Sequence, residues 1–149
     1  MRLGHLNRFP GDCKTKNSPF KALLRKLAEA YPNEQAFSKG LITLYLKEKR
    51  FDDAEKELRA IANANPSDLQ AGLSVVRLLQ QVKGASAARQ ELTDRIKAGA
   101  QAFKYQLALA DFDFTQGNVA DSVKLLEGLA KNAPSPEDAL AAQVRLAQI

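Results

Sequence analysis

The stretch NEQAFSKGLITLYLKEKRFDDAEKELRAIANANP, residues 33–66, decides the fold. Its first half places Phe37, Leu41 and Tyr45 on one face of a helix, and its second half carries another apolar stripe at helical spacing. The acidic pair at 52–53 suits the first turn of a second helix, because the positive end of the helix dipole lies there. Pro66 cannot continue that helix. The stretch therefore predicts two helices joined by a short turn.

The same plan recurs along the chain with a fixed period. Pro32 and Pro66 stand 34 residues apart, Pro134 lies two further steps of 34 beyond, and Ala100 occupies the step between them. A 34-residue period is typical of helical repeat arrays. We therefore expect an all-α fold, a solenoid of stacked antiparallel helix hairpins with about eight helices. The expected helices cover residues 19–31, 34–48, 52–64, 68–82, 85–98, 101–115, 119–132 and 136–148.

The later repeats follow the plan with weaker signals. In the second, Ser67 and Gln70 suggest a capping box at the start of the first helix, and Gly99 stops the second helix. In the third, Asn118 is the expected N-cap of the second helix. The repeats are expected at residues 33–66, 67–100 and 101–134, with half repeats at 19–32 and 135–149, so that one helical domain covers residues 19–149.

The register of the first helix in the third repeat is ambiguous. The strict period places Asp113 where an aromatic side chain belongs. A shift by one residue instead gives a buried face of Tyr105, Leu109 and Phe112. Because burying an unpaired carboxylate is costly, we expect the shifted register, with Asp113 outside the core.

Fourteen positions carry the repeat pattern. They are Leu41, Tyr45, Ala54, Leu58 and Pro66 in the first repeat, Val75, Leu79, Ala88 and Leu92 in the second, and Leu109, Ala110, Gly117, Leu126 and Pro134 in the third. With these residues the chain resembles the tetratricopeptide repeat family from about Phe20 onward. Ile42 and Val76 depart from it, because a small residue is usual there, and Ser122 replaces an alanine. Related helical-hairpin repeats are an alternative.

The resemblance implies a right-handed solenoid whose concave surface is lined by the first helix of each repeat and binds a protein or peptide segment. The candidate binding residues on that surface are Lys39, Thr43, Lys47, Gln70, Ser74, Arg77 and Gln81, together with Lys104 and Asp111 if the third repeat keeps the strict register. Some members of the family hold a peptide carboxylate there with lysines and asparagines. Lys39 matches such a position, but Thr43 and Asp111 stand where asparagines are expected, so we reject that clamp. A purely structural spacer is the alternative of equal weight.

Both ends of the array depart from a complete repeat. Residues 1–18 contain Pro10 and Gly11 without helical periodicity and are expected to form an irregular or disordered tail. At the other end, Ser135 begins a strong helix signal, and Leu140, Val144 and Ala147 are expected to pack back on the array. Leu146 and Ile149 would then face outward. A cap, a fragment of a longer array and an end that pairs with another chain are the alternatives, and we predict self-association through residues 136–149.

Composition argues against catalysis and metal binding. His5 is the only histidine and Cys13 the only cysteine, and both lie in the predicted tail, so the chain offers no catalytic triad and no zinc site of its own. We expect no enzyme activity, no cofactor and no membrane-spanning segment. The sequence fits a cytoplasmic chain as written, or a periplasmic one if it is a fragment of a longer exported protein. Its alanine-rich, tryptophan-free composition resembles that of bacterial repeat proteins.

The net charge of +5 is unevenly distributed. Residues 69–102 hold five basic and two acidic side chains, whereas residues 103–149 hold four basic and six acidic ones. A basic repeat can attract nucleic acid or another anionic surface. Since aromatic residues are not interleaved with the basic ones, as they are in single-strand binders, we expect nucleic-acid binding to be absent and keep it as the alternative function.

Overall fold

The structure, a computed structural model, describes residues 18–32 and 34–149. This part of the chain contains eight helices and no strand, which confirms the predicted fold class. The helices are α1 (Pro19–Ala30), α2 (Gln35–Lys47), α3 (Phe51–Ala64), α4 (Leu69–Lys83), α5 (Ala85–Ala98), α6 (Ala102–Thr115), α7 (Val119–Lys131) and α8 (Pro136–Leu146). The predicted tail, with Cys13 and His5, lies outside the described residues, apart from Ser18, which precedes α1.

Each helix packs mainly against its neighbours in the chain. The pairs α2–α3, α4–α5 and α6–α7 are the hairpins. We call α2, α4, α6 and α8 first helices, and α1, α3, α5 and α7 second helices. Apolar clusters fill the contacts. Tyr45 and Ala54 share one cluster in the first hairpin, and Leu79 and Ala88 share another in the second. The core is therefore a row of local clusters, as expected of a repeat array in which each unit contacts its neighbours.

Helix ends follow local chemistry, with one correction. The predicted capping box of Ser67 and Gln70 is wrong, because Asp68 caps α4: its carboxylate accepts hydrogen bonds from the backbone N–H groups of Gln70 and Ala71 at 3.0 and 3.1 Å. Gly99 does end α5, in a left-handed conformation that glycine adopts without steric cost. Asn118 is the N-cap residue of α7, but its side chain makes no capping hydrogen bond.

The expected register shift in α6 is wrong about Asp113. This residue is 1% exposed and occupies the strict repeat position of the buried Tyr45 and Leu79. The expectation failed because the carboxylate is not unpaired. Arg89, on α5, donates to it from Nε at 2.8 Å and from Nη2 at 3.0 Å. Two charge-assisted hydrogen bonds offset much of the desolvation that argued against burial.

The packing face of α8 also differs from the prediction. Leu140 and Val144 are 59% and 47% exposed, and Ala147 is exposed as well. The buried face of α8 is centred on Ala142, and Leu146, which was expected to face outward, packs against the cluster of α6 and α7. Small side chains let α8 approach its neighbours closely, so the larger apolar residues are left on the outer face. Ile149 is 41% exposed, as expected.

An ion pair joins each of α1, α3 and α5 to the next first helix or its C-cap. The residues that α1, α3 and α5 contribute are Lys21, Glu55 and Arg89, which lie one repeat of 34 residues apart. Their partners are Glu48, Lys83 and Asp113 respectively. The sign of the charge alternates along the array, and the partner's sign alternates with it. The residue at this repeat position of α1, α3 and α5 therefore forms an ion pair that connects its helix to the next one.

Candidate functional site

All nine predicted binding residues lie on first helices. Lys39, Thr43 and Lys47 are exposed on α2, Lys104 and Asp111 are exposed on α6, and the four others are exposed or half-buried on α4. We call the surface that these nine residues form on α2, α4 and α6 the first-helix face. Its backbone is rigid helix, so the spacing of the side chains is set by the repeat and not by loop conformation.

Four of the nine residues surround one cavity. A cavity of about 320 Å³ opens between α2 and α4, and Lys39, Thr43, Gln70 and Ser74 line it. Leu58 and Ile61 of α3 contribute its apolar part. A polar rim around a small apolar base is the usual construction of a recognition pocket, because the base is buried by a ligand while the rim fixes its orientation.

The two hydroxyl groups of this cavity donate their protons to backbone carbonyl groups of their own helices. Thr43 Oγ1 donates to the carbonyl of Lys39 at 2.9 Å, and Ser74 Oγ donates to the carbonyl of Gln70 at 2.8 Å. A hydroxyl that donates locally still offers acceptor lone pairs. The cavity therefore presents acceptors from its two hydroxyls next to the ammonium group of Lys39, an arrangement suited to the alternating N–H and C=O groups of a peptide.

The first-helix face is basic. Within residues 18–32 and 34–149, Lys39, Lys47 and Lys104 form no ion pair, so their charges are available to a partner. Asp111 adds little negative charge, because Arg145 on α8 lies 3.1 Å from both of its carboxylate oxygens. Asp111 and Arg145 are one repeat apart, so equivalent positions of neighbouring first helices meet on this face.

The remaining predicted residues lie outside the cavity. Arg77 is linked to it, because its Nη2 donates to the side-chain oxygen of Gln70 at 3.3 Å. Lys47 and Gln81 lie near the C-terminal ends of α2 and α4, and Lys104 is on α6, which does not line this cavity. The predicted set is thus one cluster of four residues with five others spread along the same helices.

Sequence reasoning missed two larger cavities between second helices. One, of about 560 Å³, lies between α1 and α3 and includes Arg25 and Lys56 in its lining. The other, of about 920 Å³, lies between α5 and α7. Phe103 and Leu125 form an apolar part of its lining, and Lys124 also lines it. These two cavities are larger than the one between α2 and α4, but a larger volume is not by itself evidence of a binding site. They stand at corresponding places two repeats apart, and none of these residues was among the predicted binding residues.

A chain of ion pairs occupies the corresponding groove between α3 and α5. Arg59 contacts Glu55 at 2.9 Å and Glu91 at 2.7 Å, and Arg95 contacts Glu91 at 2.8 Å. The hydrogen bond from Lys83 lowers the pKa of Glu55; burial opposes this and the hydrogen bond from Arg59 adds to it. Burial alone would lower the pKa of Arg59, but its hydrogen bonds to Glu55 and Glu91 raise it. Glu55 and Arg59 are therefore held in their charged forms.

The described residues contain no group of three or more histidine, cysteine, aspartate or glutamate side chains that could hold a metal ion. In the same part of the chain, no helix is both long enough and apolar enough to span a membrane.

Comparison with known families agrees with the geometry. The model of the tetratricopeptide repeat family matches residues 21–81, which cover most of α1, all of α2 and α3, and most of α4. The eight consecutively packed helices in the described part of the chain resemble a tetratricopeptide repeat array. Such repeats generally mediate protein–protein interactions and are generally non-catalytic modules. A search of curated proteins finds no significant match.

Proposed function

We propose that this chain is a non-catalytic scaffold that binds a segment of a partner protein on its first-helix face. The observation that carries the proposal is the cavity between α2 and α4, where Lys39, Thr43, Gln70 and Ser74 meet. The general role of tetratricopeptide repeats in protein–protein interaction supports it. Concave repeat surfaces bind extended segments because each repeat adds a similar set of contacts in a row.

The charge of the face selects the chemistry of the segment. Lys39, Lys47 and Lys104 are exposed and Asp111 is paired, so an acidic segment would gain from long-range attraction and from local ion pairs. Exposed ion pairs contribute about 1 kcal/mol or less each. The apolar base formed by Leu58 and Ile61 therefore has to take an apolar side chain of the segment for useful affinity.

The test is selection from a displayed library of random peptides, followed by mapping on the isotopically labelled protein. We expect the selected peptides to be rich in Asp and Glu with one apolar anchor, and their amide shift perturbations to concentrate on α2 and α4. Selected peptides that perturb only α5 and α7 would contradict the proposal and would assign binding to the larger apolar cavity.

Binding of nucleic acid is the alternative function, and the ion pairs argue against it. Residues 69–102 contain five basic side chains, and three of them, Lys83, Arg89 and Arg95, are paired with carboxylates at 2.7–2.8 Å. Arg77 and Lys97 remain for phosphate contacts, since Lys97 is exposed and lies 3.9 Å from Asp94. Since nucleic-acid affinity grows with the number of phosphates neutralised, the basic excess of this repeat is a weak source of affinity. A structural spacer, the other alternative, predicts that the selection yields no peptide that binds the first-helix face.

We also propose that the chain self-associates through residues 136–149. Leu140 and Val144 are one helical turn apart on α8 and expose about half or more of their surface. Complete burial of an exposed side chain of this kind is worth about 1.5–3 kcal/mol, so covering the exposed half of both side chains is worth about 1.5–3 kcal/mol in total. Replacing Leu140 and Val144 by Glu is expected to shift the mass measured by light scattering toward the monomer, with helicity unchanged. A parent protein that is monomeric at about 100 micromolar would contradict this.

A further inference from the structure

We infer that copies of this chain join head to tail, with α8 of one copy and α1 of the next forming a helix hairpin like those inside the array. The inference rests on the proposed self-association through α8 and adds the surface that α8 meets. The occupant of each outer face is thus a second copy of this chain.

The outer face of α1 departs from the internal second helices at one position. Phe20 is 60% exposed. Its repeat equivalents are Ala54, Ala88 and Ser122, which are all completely buried against the first helix of their own hairpin. At this repeat position the internal second helices carry a small buried residue, whereas α1 carries a large, exposed apolar side chain.

The outer face of α8 shows the opposite departure. Ala147, one residue beyond the last residue of α8, is exposed, whereas its repeat equivalents Tyr45, Leu79 and Asp113 are buried. Val144 is 47% exposed, although every equivalent residue is buried within a hairpin. Those equivalents are Ile42, Val76 and Ala110.

The two departures are complementary in size. Tyr45 packs in one cluster with Ala54, and Leu79 in one cluster with Ala88, so an internal hairpin sets a large residue on its first helix against a small residue on its second. A hairpin made of α8 and a second copy's α1 sets Ala147 against Phe20, with the sizes exchanged. Close packing requires that the summed volume at such a contact be kept, and exchange of large and small residues keeps it.

The types of helix and their charges also match. A hairpin of the array pairs a first helix with a second helix; α8 is a first helix and α1 is a second helix. The residues of α1 include three basic and one acidic side chain, whereas those of α8 include one basic and two acidic ones. The net positive charge of α1 and the net negative charge of α8 therefore attract each other weakly. Because the two faces differ, the contact is heterologous and can repeat, which gives open chains or rings in place of a closed twofold dimer.

The experiment compares the full 149-residue chain with single variants at each face. Phe20→Glu blocks the α1 face, and Val144→Glu blocks the α8 face. Sedimentation velocity should show the parent protein as concentration-dependent species of two or more copies of 16.3 kDa at about 100 micromolar. Each variant alone should sediment as a monomer. An equimolar mixture of the two variants should form a heterodimer and nothing larger, because one intact face of each kind remains.

The mixture also controls for folding, since a misfolded variant could not restore association. Val119→Glu is the matched control: Val119 is 42% exposed on α7, a helix that belongs to neither outer face, and its replacement should leave the association state of the parent protein unchanged. A monomeric parent would overturn both this inference and the proposed self-association. If Phe20→Glu still assembles while Val144→Glu does not, self-association through α8 stands and the head-to-tail arrangement is wrong.

Discussion

The guanidinium of Arg89 donates two hydrogen bonds to the buried carboxylate of Asp113, at 2.8 and 3.0 Å. Arg89 itself is about half exposed, so one side of the pair is in solvent and the other is in the core. The hydrogen bond to Asp113 raises the pKa of the Arg89 guanidinium, which therefore stays charged. The contact fixes the junction between the second and third hairpins.

The pair predicts unequal effects of removing its two partners. Arg89→Leu leaves a buried carboxylate without a donor and should lower the free energy of unfolding by about 3 kcal/mol. Asp113→Leu should cost less, because Leu79 fills the equivalent position and Arg89 can hydrate. Urea unfolding followed by circular dichroism measures both. If Asp113→Leu were the more damaging change, the carboxylate would have a role beyond pairing with Arg89.

Glu55 predicts a stability difference that depends on pH. The pKa of its carboxyl group is lowered in the folded chain from the usual 4.5, chiefly by the hydrogen bond from Lys83. A lowered pKa contributes stability that is complete above the unfolded value and disappears as pH falls through the folded value. Glu55→Gln should therefore be less stable than the parent at pH 7, by about 1 kcal/mol. The difference should begin to shrink as pH falls below the usual 4.5 and should close once the pH is below the lowered folded value.

Thermal unfolding at several pH values measures this difference. Glu127→Gln serves as the control, because Glu127 is exposed on α7 and forms no ion pair within residues 18–32 and 34–149. A Glu55→Gln deficit that persisted unchanged at pH 3 would show that the carboxylate's charge is not its source.

Two helical glycines predict opposite effects of the same substitution. A Cβ atom at Gly72 would clash with the phenol oxygen of Tyr105, whereas one at Gly128 would meet nothing within 4 Å. Gly128→Ala should raise the free energy of unfolding by about 0.5–1 kcal/mol, the usual gain of alanine over glycine in a helix. Gly72→Ala should lower it, since Tyr105 is 2% exposed and has to move. A stabilising Gly72→Ala would contradict the packing at this site.

The ion pairs of the second repeat predict weak binding to nucleic acid. With three of its five basic side chains closely paired with carboxylates, the repeat should show no submicromolar binding to single- or double-stranded nucleic acid at about physiological salt. Fluorescence anisotropy at several salt concentrations measures this. Tight binding that weakens steeply with salt would restore the alternative function.

The sequence predicted the helices well because their signals are local. Periodic apolar residues and terminal breakers such as Gly99 place each helix within two residues of its observed bounds. The failures concern side chains whose environment depends on another hairpin. Asp113 looked too polar for the core because its partner, Arg89, is 24 residues earlier. Leu146 packs inward and Val144 faces outward, the reverse of the prediction, because the packing face of α8 is set by close contact at Ala142.

The candidate site was predictable in part for the same reason. The polar stripe of each first helix follows from its own period, so the nine residues lie on the helices where they were expected. Which of them meet around one cavity depends on the offset between α2 and α4, which no single repeat contains. The larger cavity between α5 and α7 was missed because Phe103 and Leu125 belong to different helices, whose packing decides that they share one wall.

The central claim, that a partner segment binds the first-helix face, is tested most directly by one charge reversal made at three cavities. Lys39→Glu changes the cavity between α2 and α4, Lys56→Glu the cavity between α1 and α3, and Lys124→Glu the cavity between α5 and α7. All three lysines are exposed, so the variants should fold equally well.

The measurement is the Kd of a selected acidic peptide for the three variants, by fluorescence anisotropy at one salt concentration. We expect Lys39→Glu to weaken binding about tenfold, equivalent to about 1.4 kcal/mol, and the two other variants to change it less than about twofold. Equal weakening by all three would mean that only the net charge matters. A loss confined to Lys124→Glu would place the partner between α5 and α7 and contradict the account.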